Sequence, residues 1–189
     1  TVVGVISENY TLTSGKYTAD IEFGNPSISW EYDGIVEEPT GYGDVRFLMI
    51  NDTHGAFTDS SSGYSIGRFG SLVEELEQKQ DYILIHNGDA FQGSYVSGLK
   101  YGLPLIDAFN TIGFDCFVIG NHEFDWGIDK IAQYKDGNPA NGEADFPFLG
   151  ANIFYKDTME RPNWIEPYTV IKYGDIEVGV IGVMGDSHE

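Results

Sequence analysis

Three short polar segments, each placed where a strand-like apolar run ends, constrain the fold of this chain more than any other feature. Asn51-Asp52-Thr53-His54-Gly55 follows Arg46-Phe47-Leu48-Met49-Ile50, and Gly120-Asn121-His122-Glu123 follows Phe117-Val118-Ile119. Between them, Asn87-Gly88-Asp89 follows Tyr82-Ile83-Leu84-Ile85 and His86. The segments recur roughly 35 residues apart, room for a strand, a connection with a helix and a return to the next strand. Strands repeated in that way bring their C-terminal ends to one edge of a sheet. Carboxylate, imidazole and amide donors converging there point to a metal site, and to one for two cations.

The intervening segments support this alternation. Phe69, Leu72, Val73 and Leu76 fall at i, i+3, i+4 and i+7, one apolar face of a helix. Leu103 to Thr111 reads as a helix that starts near Pro104 and ends at Gly113, and Ile128 to Tyr134 as a short one. Asp136 to Asp145 is a polar Gly/Asn-rich loop, and Phe148 to Ile153 a further strand. Tyr168 to Tyr173 and Ile176 to Val183 flank Gly174-Asp175, a hairpin signature.

The first 43 residues differ. Val2–Ser7, Lys16–Phe23 and Ser27–Tyr32 are β-rich runs, followed by a Pro/Gly-rich linker at Glu37–Gly43. The expected domains are therefore a β-rich appendage over 1–43 and an α/β domain over 44–189.

Thirty acidic against ten basic residues give a net charge of −20. This argues against duplex nucleic acid as a partner, because its affinity comes largely from cationic side chains that displace counterions. A small phosphate ester is not excluded, since bound cations invert the local field. The bland reading of the charge, a solvated acidic surface, is preferred. No apolar stretch approaches the roughly 20 residues of a membrane span. The single cysteine, Cys116, lies in an apolar run and reads as a buried inert thiol.

A dinuclear site needs anionic oxygen and one carboxylate able to bridge. Asp52 and Asp89 offer carboxylates, His54 an imidazole and Asn121 a neutral oxygen. In an extended segment the side chains of Asp52 and His54 leave on the same side. Imidazole with carboxylate suits zinc, manganese or iron. Taken singly, each segment also has a structural reading. Asn-Gly-Asp is a common turn, and Gly-Asn-His-Glu fits a turn before a helix, with Glu123 favourable in its first turn. His86 reads as a core histidine or one that supports a ligand from behind, rather than as a ligand itself.

Asp52-x-His54, Gly88-Asp89 and Gly120-Asn121-His122-Glu123 resemble the first three signature blocks of the calcineurin-like metallophosphoesterases. Gly120-Asn121-His122-Glu123-Phe124-Asp125 is similar to the branch of 5′-nucleotidases, UDP-sugar hydrolases and 2′,3′-cyclic-nucleotide phosphodiesterases. The resemblance covers roughly residues 44–185 and none of the first 43.

It implies the N-terminal part of a metallophosphoesterase β-sandwich flanked by helices. It also implies metal-dependent hydrolysis of a nucleotide or related phosphate ester, with a cation-activated water attacking phosphorus. Cyclic-nucleotide or nucleotide-sugar hydrolysis is the sister reading, and a non-catalytic surface-binding module on the same fold the rival of another class. Asp52 and His54 would bind the first of two divalent metal ions (Zn, Mn or Fe), Asp89 would bridge, and Asn121 would bind the second. His122 would face the phosphate, held by Asp125. Arg68 resembles a basic position common in the family and reads equally well as a solvated surface arginine, whereas His188 matches no ligand motif. The family's downstream Gly-His-x-His block is absent here. The chain is therefore expected to be an inactive N-terminal portion of a larger enzyme, prone to self-association through uncovered apolar surface. By family habit it would be extracellular, cell-surface or periplasmic.

Overall fold

The computed structural model describes residues 17–20, 29–32, 44–57 and 65–185. The chain divides into two compact units, Gly4–Asp44 and Val45–Glu189 with Thr1–Val3. In the smaller unit, β1 (Tyr17–Asp20) pairs antiparallel with β2 (Ser29–Tyr32), Tyr17 opposite Tyr32. The strand read at Val2–Ser7, the linker at Glu37–Gly43 and His188 lie outside the described residues.

The larger unit is built on four parallel strands in the order β3 (Phe47–Ile50), β4 (Ile83–His86), β5 (Cys116–Val118) and β6 (Phe148–Leu149). Helix α1 (Ile66–Glu77) connects β3 to β4. Helices α2 (Tyr95–Gly98) and α3 (Leu103–Ile112) lie between β4 and β5, and α4 (Ile128–Ala132) between β5 and β6. Every residue of β4 and β5 is buried, the signature of strands covered on both faces. Leu84, Phe117 and Phe148 pack with Leu105, Ile106 and Phe109 of α3 on one face. On the other, Ile83, Ile85, Cys116, Val118 and Leu149 meet Ile171, Tyr173, Val178 and Val180. These last four belong to an antiparallel hairpin, β7 (Tyr168–Tyr173) with β8 (Ile176–Ile181), turning at Gly174 with φ 58°. Helices on one face and a β-hairpin on the other make the mixed α/β fold with an antiparallel part that the alternation implies, and two sheets packed face to face as the family resemblance implies.

Helix α1 starts at Ser65, whose hydroxyl accepts the Arg68 N–H. Its buried stripe keeps Phe69 and Val73 of the expected set and turns Leu72 out to solvent. Ile66 and Val73 are buried and Phe69 packs against the core, while Leu72 is exposed. The stripe passes through Gly70, where a Cβ would stand 3.1 Å from Ile112 Cγ1, so the glycine lets α1 approach α3. A helix-interior glycine costs about 1 kcal/mol. Burying Ile66 and Val73 returns roughly 1.5–3 kcal/mol each, so packing decides the helix.

The strand expected over Phe148–Ile153 stops at Leu149. Beyond it, the Arg161 guanidinium donates to the carbonyls of Gly150 and Ala151, and Gly150 N–H turns to the Glu166 carbonyl at 2.9 Å. A side-chain donor therefore replaces the continuation of the ladder. The helix read over Ile128–Tyr134 is α4 followed by a 3-10 turn at Gln133–Lys135. Cys116 is fully buried, and burial pushes its thiol up to about 12, consistent with an inert core cysteine. No described helix is long and apolar enough to cross a membrane.

Candidate metal centre

The segments that follow β3, β4 and β5 meet at the sheet's C-terminal edge, and their backbones lock together there. Asn87 N–H donates to the Ile50 carbonyl (2.7 Å), Asp52 N–H to Gly88 (3.0 Å), His54 N–H to Asp89 (3.0 Å) and Gly55 N–H to Ala90 (2.7 Å). Six non-glycine residues among those described have positive φ, and three are Asp52 (52°), His54 (43°) and Asp89 (58°). Left-handed backbone costs an L-residue on the order of 1–2 kcal/mol, so its concentration on three residues of one sheet edge singles that edge out as the candidate site. Asp52 and His54 are thus not paired by an extended strand, as the sequence suggested. The left-handed turns hold them together, with His54 Nε2 3.8 Å from Asp52 Oδ1. Gly88 (φ 91°) permits the close approach: a Cβ there would stand 2.7 Å from Gly120 N.

The His54 ring is fixed by the Gln92 carbonyl, which accepts from Nδ1–H at 3.1 Å. The lone pair therefore lies on Nε2, facing Asp52. A backbone carbonyl that sets the tautomer in this way is a common support for a ligating histidine. His122 is held likewise, its Nδ1–H donating to Asp125 Oδ2 at 2.8 Å. The His54 and His122 rings meet edge to face, with centroids 4.9 Å apart. His122 N–H also donates to Asp89 Oδ1 at 2.9 Å, which ties the third segment to the second. The hydrogen bond to Asp125 is the main reason the His122 imidazole titrates above its ordinary 6.5.

Two buried groups beneath this edge hold the segments in place. His86 is fully buried and stacks on Phe117 with centroids 4.8 Å apart. Gly88 N–H donates to its Nδ1 (3.1 Å), which leaves the proton on Nε2 to reach Thr53 Oγ1 (3.0 Å). Burial lowers its pKa to about 3, so it stays neutral. His86 is therefore the core histidine that the sequence suggested, with a foot in two ligand segments.

Glu123 is the residue that sequence reasoning missed. It was read as a first-turn acid, yet its carboxylate points inward and is 1% exposed as a residue. Its Oε2 accepts the N–H groups of Asp89 (2.9 Å) and Gly120 (2.7 Å), and its Oε1 those of Ala90 (2.7 Å) and Phe91 (3.4 Å). Burial raises its pKa while these backbone donors pull it down. Burying a charge costs several kcal/mol, and a hydrogen bond to an ion returns roughly 1.5–3 kcal/mol. Only a set of donors of this size offsets the burial. No local signal in Gly-Asn-His-Glu marks it, because three of the partners lie in another segment.

Asn121 stands before a 3-10 turn, His122–Phe124, without capping it through its side chain. Arg68 lies on α1 in the wall of a groove of about 670 Å³ that also includes Asn51, Asp52 and Thr53. Among the described residues, no group of three or more His, Cys, Asp or Glu side chains closes on one point as a metal cage. The donors present still fit a divalent cation in kind. An imidazole with its Nε2 lone pair available beside a carboxylate, and a second carboxylate on the adjoining loop, suit zinc, manganese or iron.

The calcineurin-like phosphoesterase family model matches residues 45–188. Protein UshA of Yersinia enterocolitica is 29% identical over 166 residues, covering 85% of this chain and 28% of that protein. The 5′-nucleotidase of Vibrio cholerae is 30% identical over 164 residues, 84% of this chain and 27% of the relative. The chain thus spans just over a quarter of these relatives' length. In fold it is similar to the 5′-nucleotidase precursor of Thermus thermophilus, with a TM-score of 0.62 at 23% identity over 74% of this chain and 28% of that one. With the three loops at one sheet edge and the match over residues 45–188, this chain belongs to the calcineurin-like phosphoesterase family, alongside UshA and 5′-nucleotidase relatives.

Proposed function

We propose that this chain carries the first half of a two-cation phosphoric-ester hydrolase site of the 5′-nucleotidase type. The observation behind this reading is the side-by-side placement of His54 and His122, each anchored through Nδ1–H and each presenting Nε2. One presents a lone pair and the other a proton, the two things that a cation and a departing alkoxide require.

Asp52 and His54 would hold the first divalent cation, Asp89 would bridge, and Asn121 would donate to the second. Zinc, manganese or iron, when bound, supplies Lewis acidity toward phosphoryl oxygen and makes a coordinated water acidic enough to act near neutral pH. The chain's own part is positioning and proton transfer. His122, oriented by Asp125, donates from Nε2 toward the phosphoryl or leaving oxygen. The hydrogen bond to Asp125 raises the His122 pKa above its ordinary value, the direction a proton donor requires.

The substrate class in this reading is a nucleoside 5′-monophosphate, supported by the names of the relatives and by the Gly120–Asp125 block. The second cation draws only Asp89 and Asn121 from this chain, so these 189 residues alone would be inactive. The setting proposed is extracellular, cell-surface or periplasmic.

The test is phosphate release by the longer protein carrying this segment. Nucleoside 5′-monophosphate, 2′,3′-cyclic nucleotide and nucleotide sugar would be supplied in turn, with manganese or with chelator. Chelator-sensitive release from the 5′-monophosphate, lost in His122→Ala, is the result expected. Full activity in His122→Ala would remove the role given to that residue.

A further inference from the structure

The reading above accounts for the groups at the surface of the sheet edge and leaves Glu123 without a role. Glu123 is fully buried and its described partners are main-chain N–H groups. Two of these belong to the residues that flank the proposed bridging position from either segment: Asp89 itself, and Gly120, over which the Asp89 carboxylate lies. A Cβ on Gly120 would collide with Asp89 Oδ1. Asp89 holds a left-handed φ of 58° with no glycine's freedom to do so.

From these contacts we infer that Glu123 is a positioning residue that imposes the Asp89 conformation and so aims the Asp89 carboxylate into the cation site. Each oxygen of Glu123 clamps one pair of donors: Oε2 joins Asp89 to Gly120 across two segments, and Oε1 holds the chain leaving Asp89. With Asp89 N–H and Ala90 N–H both turned toward one buried carboxylate, the peptide planes on either side of Asp89 are fixed. Its side chain then lies over Gly120, where Oδ1 accepts the His122 N–H. Such outer support fixes a ligand without touching the metal. The inference rests on the two-cation reading only for what Asp89 is aimed at; the clamp itself is independent of it.

Glu123→Gln preserves shape but has one oxygen, so one donor pair would face an NH2 group. In the 189-residue chain without metal, the amide resonances of Asp89, Ala90 and Gly120 should shift far more than those of remote strands. Calorimetric titration with Mn²⁺ should then show affinity reduced roughly 10–100-fold while far-ultraviolet circular dichroism stays that of the wild type. Lost thermal stability with unchanged Asp89 resonances, or with unchanged Mn²⁺ affinity, would reduce Glu123 to a packing residue and overturn the inference. Should Glu123→Gln not fold, Glu123→Asp carries the same test. It keeps the charge but falls one methylene short, and it should shift the same three amides. If the wild-type chain itself takes up no Mn²⁺, the cation reading fails. Moved Asp89 resonances would then still uphold the clamp, and unmoved ones would overturn it.

Discussion

His122 Nδ1 lies 2.8 Å from Asp125 Oδ2, three residues on, and the His122 ring stands edge-on to His54. The 3-10 turn over His122–Phe124 brings the donor and acceptor together, so a local element makes the pair on which the proposed chemistry rests. Removing the charge of Asp125 while keeping its shape isolates what the pair does. In Asp125→Asn the His122 titration midpoint should fall toward 6.5, because the hydrogen bond to a carboxylate is the main cause of its upward shift. Proton resonances of the His122 ring followed against pH report this directly. An unchanged midpoint would mean that Asp125 does not hold the imidazolium.

The buried His86 makes acid sensitivity a property of the fold. Its pKa is lowered from 6.5 to about 3, so below 6.5 the unfolded chain takes up a proton that the folded chain refuses. Stability should therefore be full above 6.5 and fall as pH drops, by about 1.4 kcal/mol per pH unit until about pH 3. Glu123 and Asp115, both raised by burial, act in the opposite sense, losing stability as pH rises. The difference between wild type and His86→Gln isolates the imidazole. Urea midpoints at pH 4.5 and 7 should diverge for the wild type and approach each other in the variant; equal divergence in both would reject this assignment.

Two glycines with similar φ should respond differently to alanine. Gly88 (φ 91°) would place its Cβ 2.7 Å from Gly120 N and 3.0 Å from Val118 O, both backbone atoms that cannot move aside. Gly113 (φ 86°), which ends α3, has nothing within 4 Å. Gly113→Ala should cost about 1–2 kcal/mol, the left-handed penalty alone. Gly88→Ala should cost at least about 3 kcal/mol. Thermal denaturation ranks them, and equal costs would show that the loop packing at Gly88 is looser than described.

On the proposed assignment, calorimetry of the 189-residue chain with Mn²⁺ should find one site clearly tighter than any other. Asp52 and His54 together define one position, while the second draws only Asp89 and Asn121. Asp52→Asn or His54→Ala should weaken the tighter site by at least roughly tenfold. Two equally tight ions per chain would contradict this unequal division.

Much of the fold was legible because the local pattern and the tertiary contacts ask for the same thing. Apolar runs at β3, β4 and β5, the Pro104–Gly113 frame of α3 and the Gly174 hairpin all appear close to where they were read. Errors arose where a distant partner overrode the local pattern. Leu72 fits a helical stripe yet is exposed, since α1 turns Gly70 toward Ile112. Phe148–Ile153 reads as a strand yet ends at Leu149, because Arg161 takes the next carbonyls.

The sequence by itself determined which donors exist and in what order: composition and spacing name Asp52, His54, Asp89 and Asn121 as candidates after strands, and the family resemblance adds His122 and Asp125. Tertiary structure decided how they present themselves. It turned Asp52, His54 and Asp89 into left-handed conformations, and it bound Glu123 to amides more than thirty residues away and His86 to Thr53 at a similar separation. Spacing along a chain encodes the period of strands and helices. A hydrogen bond closed across two loops depends on where the sheet places both ends, and only the folded backbone specifies that.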